Sequence, residues 1–130
     1  MKLCRIGNIG EEKPAIIDEE NNFRDLSSLI NDFDPDTLNF STLGKIQKLD
    51  ISSLPKLDSN SRIGACISKP SKFIGIGLNF KDHAEEVNLP IPQEPIIFSK
   101  FTSCVTGPND PIIVPKNSNH TDWEVELGFV

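Results

Sequence analysis

The sequence predicts an α+β protein, mostly β with short helices. Two observations carry this: apolar runs are short and bounded by Gly, Pro, Asn and Asp, and helix-like spacing appears only in brief segments. A third, the polar stretch from Ser52 to Ser61 with Pro55 inside it, reads as a linker and divides the chain. Residues 1–68 are then a small α/β accessory domain and residues 69–130 the start of a second domain. With 130 residues and 37% hydrophobic side chains, there is enough apolar surface for one modest core or two very small ones.

In chain order, Lys2 to Ile6 reads as a strand, Gly10 to Lys13 as a turn, Ala15 to Asp18 as a second strand and Glu19 to Asn22 as a polar turn. Phe23 to Leu26 is a third strand. From Ser27 the spacing of Leu29, Ile30 and Phe33 becomes helical. A second helix is expected from Ser41 to Leu49, where Leu43, Ile46 and Leu49 recur after Ser41 or Thr42 as cap. Arg62 to Ile67, Phe73 to Leu78, Pro95 to Lys100 and Ile112 to Val114 complete the strands, with a turn at Gly107 to Asp110.

Chemistry concentrates in two places. The first is Ile74 to Glu86, where an apolar run broken by Gly75 and Gly77 feeds a short helix. Asn79 is the expected cap, with Asp82 returning a bond to it, and Asn88, Pro90 and Pro92 end the helix after about two turns. His83 and Glu86 stand at i and i+3, so the carboxylate can orient the imidazole, as a general base requires. The same spacing also suits a surface ion pair, which is common and weak.

The second is Thr121 to Val130. In an extended strand Trp123, Val125 and Leu127 face one way and Asp122, Glu124 and Glu126 the other. Glu124 and Glu126 would lie about 6.7 Å apart along the strand, close enough to share one hard cation. Asp122 with Glu124 is the rival pair, and a solvated edge face without metal fits the pattern equally well.

Composition narrows the remaining classes. Nineteen acids against thirteen bases give a net charge of −6 with no basic stripe, which disfavours nucleic acid as a partner. No stretch approaches the roughly 20 apolar residues of a membrane span, and the N-terminal residues lack the apolar run of a signal peptide, so a cytoplasmic protein is expected. Cys4, Cys66 and Cys104 are odd in number and widely spaced, as free thiols packed in strands would be.

Three stretches resemble the fumarylacetoacetate hydrolase family in order and spacing: Gly-Leu-Asn-Phe-Lys-Asp-His-Ala-Glu-Glu at 77–86, the Phe-Ser-Lys…Ser…Gly-Pro run at 98–108, and Asp-Trp-Glu-Val-Glu-Leu at 122–127. Over residues 1–68 the likeness is weaker. There Glu-Lys-Pro at 12–14 and Arg-Asp-Leu-Ser at 24–27 are similar to members known as ureidoglycolate lyases or diketo sugar acid hydrolases.

The resemblance implies a β-roll catalytic domain and a divalent-metal enzyme, usually with Mg2+ and with Mn2+ or Ca2+ as alternatives. It implies cleavage of a carbon–carbon bond in an acylpyruvate or related oxo acid through a metal-stabilised enolate. In that pattern Glu124 and Glu126 match two metal ligands, His83 and Glu86 match the dyad that activates water, and Lys100 matches a lysine supporting the substrate. Phe80 stands where the family usually has tyrosine. The family's remaining acidic ligand and most of its sheet lie downstream of position 130. The chain is therefore expected to be a fragment of a longer product that forms a homodimer. Two alternatives remain open: ureidoglycolate lyase-type, decarboxylase or isomerase activity, and an inactive fragment serving only as an oligomerising or binding module.

Overall fold

A computed structural model describes all 130 residues, which divide into two compact units: residues 1–68 with 106–130, and residues 69–105. The elements are small antiparallel sheets and a few short helices, as an α+β chain requires. No helix is long and apolar enough to cross a membrane.

The first unit is built on a three-stranded antiparallel sheet, β1 (Lys2–Ile6), β2 (Lys13–Ile17) and β3 (Phe23–Asp25), in that order. Cross-strand pairs share a face, so the register Leu3↔Ile16 and Cys4↔Ala15 sorts the side chains into two cores. On one face Ile16 packs with Leu26, Ile30, Phe33 and Ile46. On the other, Cys4, Ile6 and Ala15 pack with Ile17, Phe23, Leu57 and Ile63. Covering both faces explains why consecutive residues Cys4, Arg5 and Ile6 are all buried. Burial also pushes the Cys4 thiol up to about 11, so it stays protonated and acts as a small apolar group.

Buried arginines are balanced by carboxylates. Arg5 donates from Nε and Nη2 to both oxygens of Asp32 at 2.6 and 2.9 Å, and from Nη1 to the Ala65 carbonyl at 3.2 Å. Its Nη2 also lies 3.3 Å from Glu12, whose other oxygen accepts from Arg62 Nη1 at 2.8 Å. Arg62 in turn donates to both oxygens of Asp110 at 2.6 Å each. On β3, Arg24 donates to Asp18 at 2.7 Å and to the Ser52 and Leu54 carbonyls at 3.0 Å. No buried side-chain polar atom of the chain lacks a partner.

Several expected elements take a different form. The helix expected from Ser27 is a series of turns, because Asp25, Asp32 and Asp34 bond nearby backbone N–H groups instead, with Asp25 Oδ1 accepting from Ser27 N at 2.7 Å. The helix expected at Ser41 to Leu49 is α1 (Phe40–Ile46), capped two or three residues earlier than expected by Asn39, whose Oδ1 accepts from Thr42 N at 3.0 Å. Ser52 to Ser61 is no linker. After a 3-10 turn at Ile51–Ser53, Pro55 and Leu57 bond β3 through Asp25 N and Phe23 O at 2.8 and 2.9 Å, extending the sheet by one edge. Arg62 to Ile67 contributes only a single bridge, Ile6↔Ile63.

Neither Ile112 to Val114 nor Thr121 to Val130 forms a strand. With no neighbouring strand to bond, these backbones lack the ladder that would hold them extended. Val125 adopts a left-handed φ of 50°, which interrupts the alternation that would put Glu124 and Glu126 on one face. Trp123, Val125, Leu127 and Phe129 are all exposed.

The second unit is an antiparallel hairpin of β4 (Phe73–Gly77) and β5 (Ile96–Lys100), with α2 (Lys81–Glu86) in the connection. Gly75 lies opposite Phe98, and the ring covers it so closely that an added Cβ would stand 2.5 Å from Cζ. Ile74, Ile96, Ile97 and Phe98 remain exposed on this two-stranded sheet.

Candidate active site

The path from β4 into α2 is set by backbone conformation. Leu78 turns the chain with φ 48°, in the left-handed region that a Cβ disfavours. Phe80, rather than the expected Asn79, is the N-cap residue, and no side chain bonds the helix start. Six residues make a weak helix alone, so the C-terminal end matters. Asn88, at φ 54°, lets its own N–H reach the Glu85 carbonyl at 3.1 Å and the Leu89 N–H reach the Ala84 carbonyl at 2.9 Å. That is a Schellman closure with asparagine where glycine is commonest.

On this helix His83 Nδ1 lies 3.3 Å from Glu86 Oε2. The two side chains are 53% and 78% exposed, so the contact orients the ring without contributing much to stability. An Nδ1–H donated to Glu86 leaves Nε2 with its lone pair turned to an incoming proton. Lys81 and Glu85 form a second, looser pair at 3.8 Å on the same helix.

Lys100 closes β5 opposite Phe73. Its Nζ stands 5.7 Å from the Phe73 ring centroid and 5.9 Å from that of Phe98, so two aromatic faces hold the ammonium. Sequence reasoning placed Lys100 but missed Phe73 and Phe98. Their signal was the two-residue spacing of Phe98 and Lys100, which puts both on one face of a strand.

Glu124 and Glu126 are exposed and lie in the first unit, on either side of the left-handed residue Val125 in a segment without regular secondary structure. As hard oxygen donors they suit a divalent cation in kind but not in number. No three His, Cys, Asp or Glu side chains anywhere in the chain gather into a metal-holding group. A hard cation takes six or more oxygens, and this pair supplies only part of them, so these residues do not by themselves constitute a metal centre.

Known proteins give the chain its relatives. Residues 72–130 match the family described as fumarylacetoacetate (FAA) hydrolase C-terminal. A putative hydrolase of Burkholderia ambifaria MC40-6 is 49% identical over all 130 residues, and one of Burkholderia multivorans ATCC 17616 is 50% identical over the same length. Each alignment takes in 46% of the relative, so the chain spans about half the length of the curated relatives it matches. The stretch holding β4, α2, the His83–Glu86 pair and β5 thus falls inside the segment that is similar to the fumarylacetoacetate hydrolase family.

Proposed function

We propose that this chain supplies the general base of a hydrolase that cleaves a carbon–carbon bond in an acylpyruvate or related oxo acid, in a polypeptide of its relatives' length. The observation that carries the reading is the His83–Glu86 contact of 3.3 Å on an exposed helix inside the family segment. Glu86 fixes the ring, and His83 Nε2 takes a proton from water. The hydroxide oxygen bonds to the acyl carbon, the carbon–carbon bond breaks, and its electron pair goes to the carbon beside the keto group. That enolate recovers a proton, so acylpyruvate and water become a carboxylic acid and pyruvate. Lys100 supports the substrate.

Glu124 and Glu126 are proposed as two oxygen ligands for a divalent cation, with further donors required from outside this pair. Titrating Mg2+ into a protein of the relatives' length tests this by calorimetry, and unchanged binding in a Glu124→Gln, Glu126→Gln variant would remove the pair from the site.

Turnover of an acylpyruvate by that longer protein tests the reaction. His83→Ala should lower kcat by about 10²–10⁴-fold, the usual contribution of a general base. Glu86→Gln should lower it less, because the amide still bonds the ring. Normal rates in the His83 variant would exclude the dyad from the chemistry.

The exposed apolar face of the β4–β5 hairpin favours a second reading, a module that works by association. Sedimentation of the purified chain addresses it: a defined oligomer in the absence of metal supports that reading, and a monomer opposes it.

A further inference from the structure

The register of the β4–β5 hairpin gives it two unlike faces. On one, Phe98 covers Gly75 and Ile96 lies against Gly77, so the hairpin buries part of that face by itself. The other carries Ile74 opposite Ser99 and Ile76 opposite Ile97. There Ile74 is 54% and Ile97 68% exposed beside the half-buried Ile76, an apolar face that its own unit leaves open. Charge is divided along the same strands. The end where β4 starts and β5 finishes, over residues 69–77 and 96–105, holds Lys69, Lys72 and Lys100 and no acid. The connecting residues 78–95, at the other end, hold Lys81 against Asp82, Glu85, Glu86 and Glu94. Residues 69–105 are therefore neutral as a whole but polar from end to end.

We propose that the Ile74, Ile76 and Ile97 face binds the same face of a second copy of the chain, about a twofold axis perpendicular to the strands. Two hairpins stacked about 10 Å apart would interdigitate their isoleucines as the inner faces of a sandwich do. Reversing one hairpin over the other brings each basic end onto an acidic end, whereas a twofold along the strands would stack like charges. A twofold contact needs a surface that complements itself, and this one does. A partner of a single sign would be repelled at one end. The proposal deepens the association reading above, for which it names the surface and the occupant.

Sedimentation equilibrium of the 130-residue chain without added metal should show a monomer–dimer equilibrium. Ile97→Asp should weaken it by about tenfold or more, the scale of one buried isoleucine. Because Ile97 is exposed in the single chain, the variant should keep its hairpin, which the amide NMR signals of residues 73–77 and 96–100 verify. Phe40→Asp removes a 94% exposed ring from the first unit and should leave the equilibrium unchanged. At low salt Lys72→Glu and Glu94→Lys should each weaken the dimer by about two- to fivefold, the scale of an exposed ion pair, and the double exchange should restore it. A chain that stays monomeric, or one that forms aggregates of no defined size, would overturn both this surface and the association reading. A dimer that Ile97→Asp leaves intact, or that Phe40→Asp weakens equally, would overturn this surface alone. A dimer lost in Ile97→Asp but indifferent to the charge exchange would overturn the reversed twofold.

Discussion

Arg62 and Asp110 are 48 residues apart in sequence and joined by two parallel N–H···O bonds of 2.6 Å each. Asp110 Oδ2 also accepts from Thr106 Oγ1 and the Gly107 N–H at 2.7 Å, so one carboxylate oxygen ties the arginine to the turn at Thr106 and Gly107. Gly107 sits against the Ile63 carbonyl too closely for any Cβ. Together these bonds secure residues 106–110 to the first unit, and they hold the Asp110 carboxyl well below its ordinary range through the Arg62 hydrogen bonds first of all.

Cutting that connection should release the segment locally. Asp110→Asn keeps the shape but loses the charge, and hydrogen exchange at Gly107 and Asp110 should accelerate while amides of β1 and β2 keep their protection. Combining it with Arg62→Met should cost less than the sum of the two single changes, because both remove the same ion pair and only the second also removes the Arg62–Glu12 bond. Full additivity in that double-mutant cycle would show that the two residues act separately.

Asp32→Ala should be more damaging than its position near the surface suggests. It leaves the Arg5 guanidinium buried with only Glu12 and the Ala65 carbonyl as partners, at a cost of about 3 kcal/mol. Chemical denaturation of the variant, followed by far-UV circular dichroism, measures this.

Phe33→Ala tests the larger core. Phe33 is 1% exposed and packs with Ile16, Leu26, Ile30 and Ile46, so truncation should cost about 3–5 kcal/mol. A loss below about 1 kcal/mol would mean that the turns after Ser27 do not anchor the sheet.

Acid should destabilise the first unit in a defined window. Desolvation by itself would raise the Asp18 carboxyl, but hydrogen bonds from Arg24 and Asn22 outweigh it and bring the group down to about 2. Asp32 and Glu12 are likewise lowered, with burial opposing and Arg5 or Arg62 prevailing. A carboxylate with a depressed folded-state value stabilises fully above its unfolded value, near 4, and loses that contribution as pH falls toward 2. Thermal midpoints should therefore drop between about pH 4 and pH 2, and Asp18→Asn should flatten the profile.

Gly75→Ala should displace the Phe98 ring, since the new methyl would meet Cζ at 2.5 Å. Aromatic ring-current shifts on the Lys100 ε-methylene protons should shrink as that ring leaves the ammonium. Unchanged shifts would mean that Phe73 alone places the side chain.

Local pattern revealed the strands whose partners lie nearby in the chain. β1 occurs at Lys2–Ile6 as read, β2 is shifted to Lys13–Ile17, and β4 and β5 differ from expectation by one residue each. It failed where side chains compete with the backbone, as at Asp25, Asp32 and Asp34, whose Asx bonds defeat the helical spacing of Leu29, Ile30 and Phe33. It failed again at Thr121 to Val130, because alternation describes a strand only when another strand completes its ladder. Within the site, the i,i+3 spacing of His83 and Glu86 was visible and their contact follows from helical geometry. The Lys100 cradle was hidden, because it depends on the pairing register that sets Phe73 opposite.

Asn88 has no reactive group in this scheme, yet the aim of the imidazole depends on it. A helix of six residues has too few internal bonds to keep its last turn wound, and the left-handed closure at Asn88 does that work beside the very turn that bears Glu86. Alignment of the proposed base is thus delegated to a chemically silent neighbour: glycine there should preserve the His83–Glu86 contact, whereas a β-branched residue should unwind the turn that holds it.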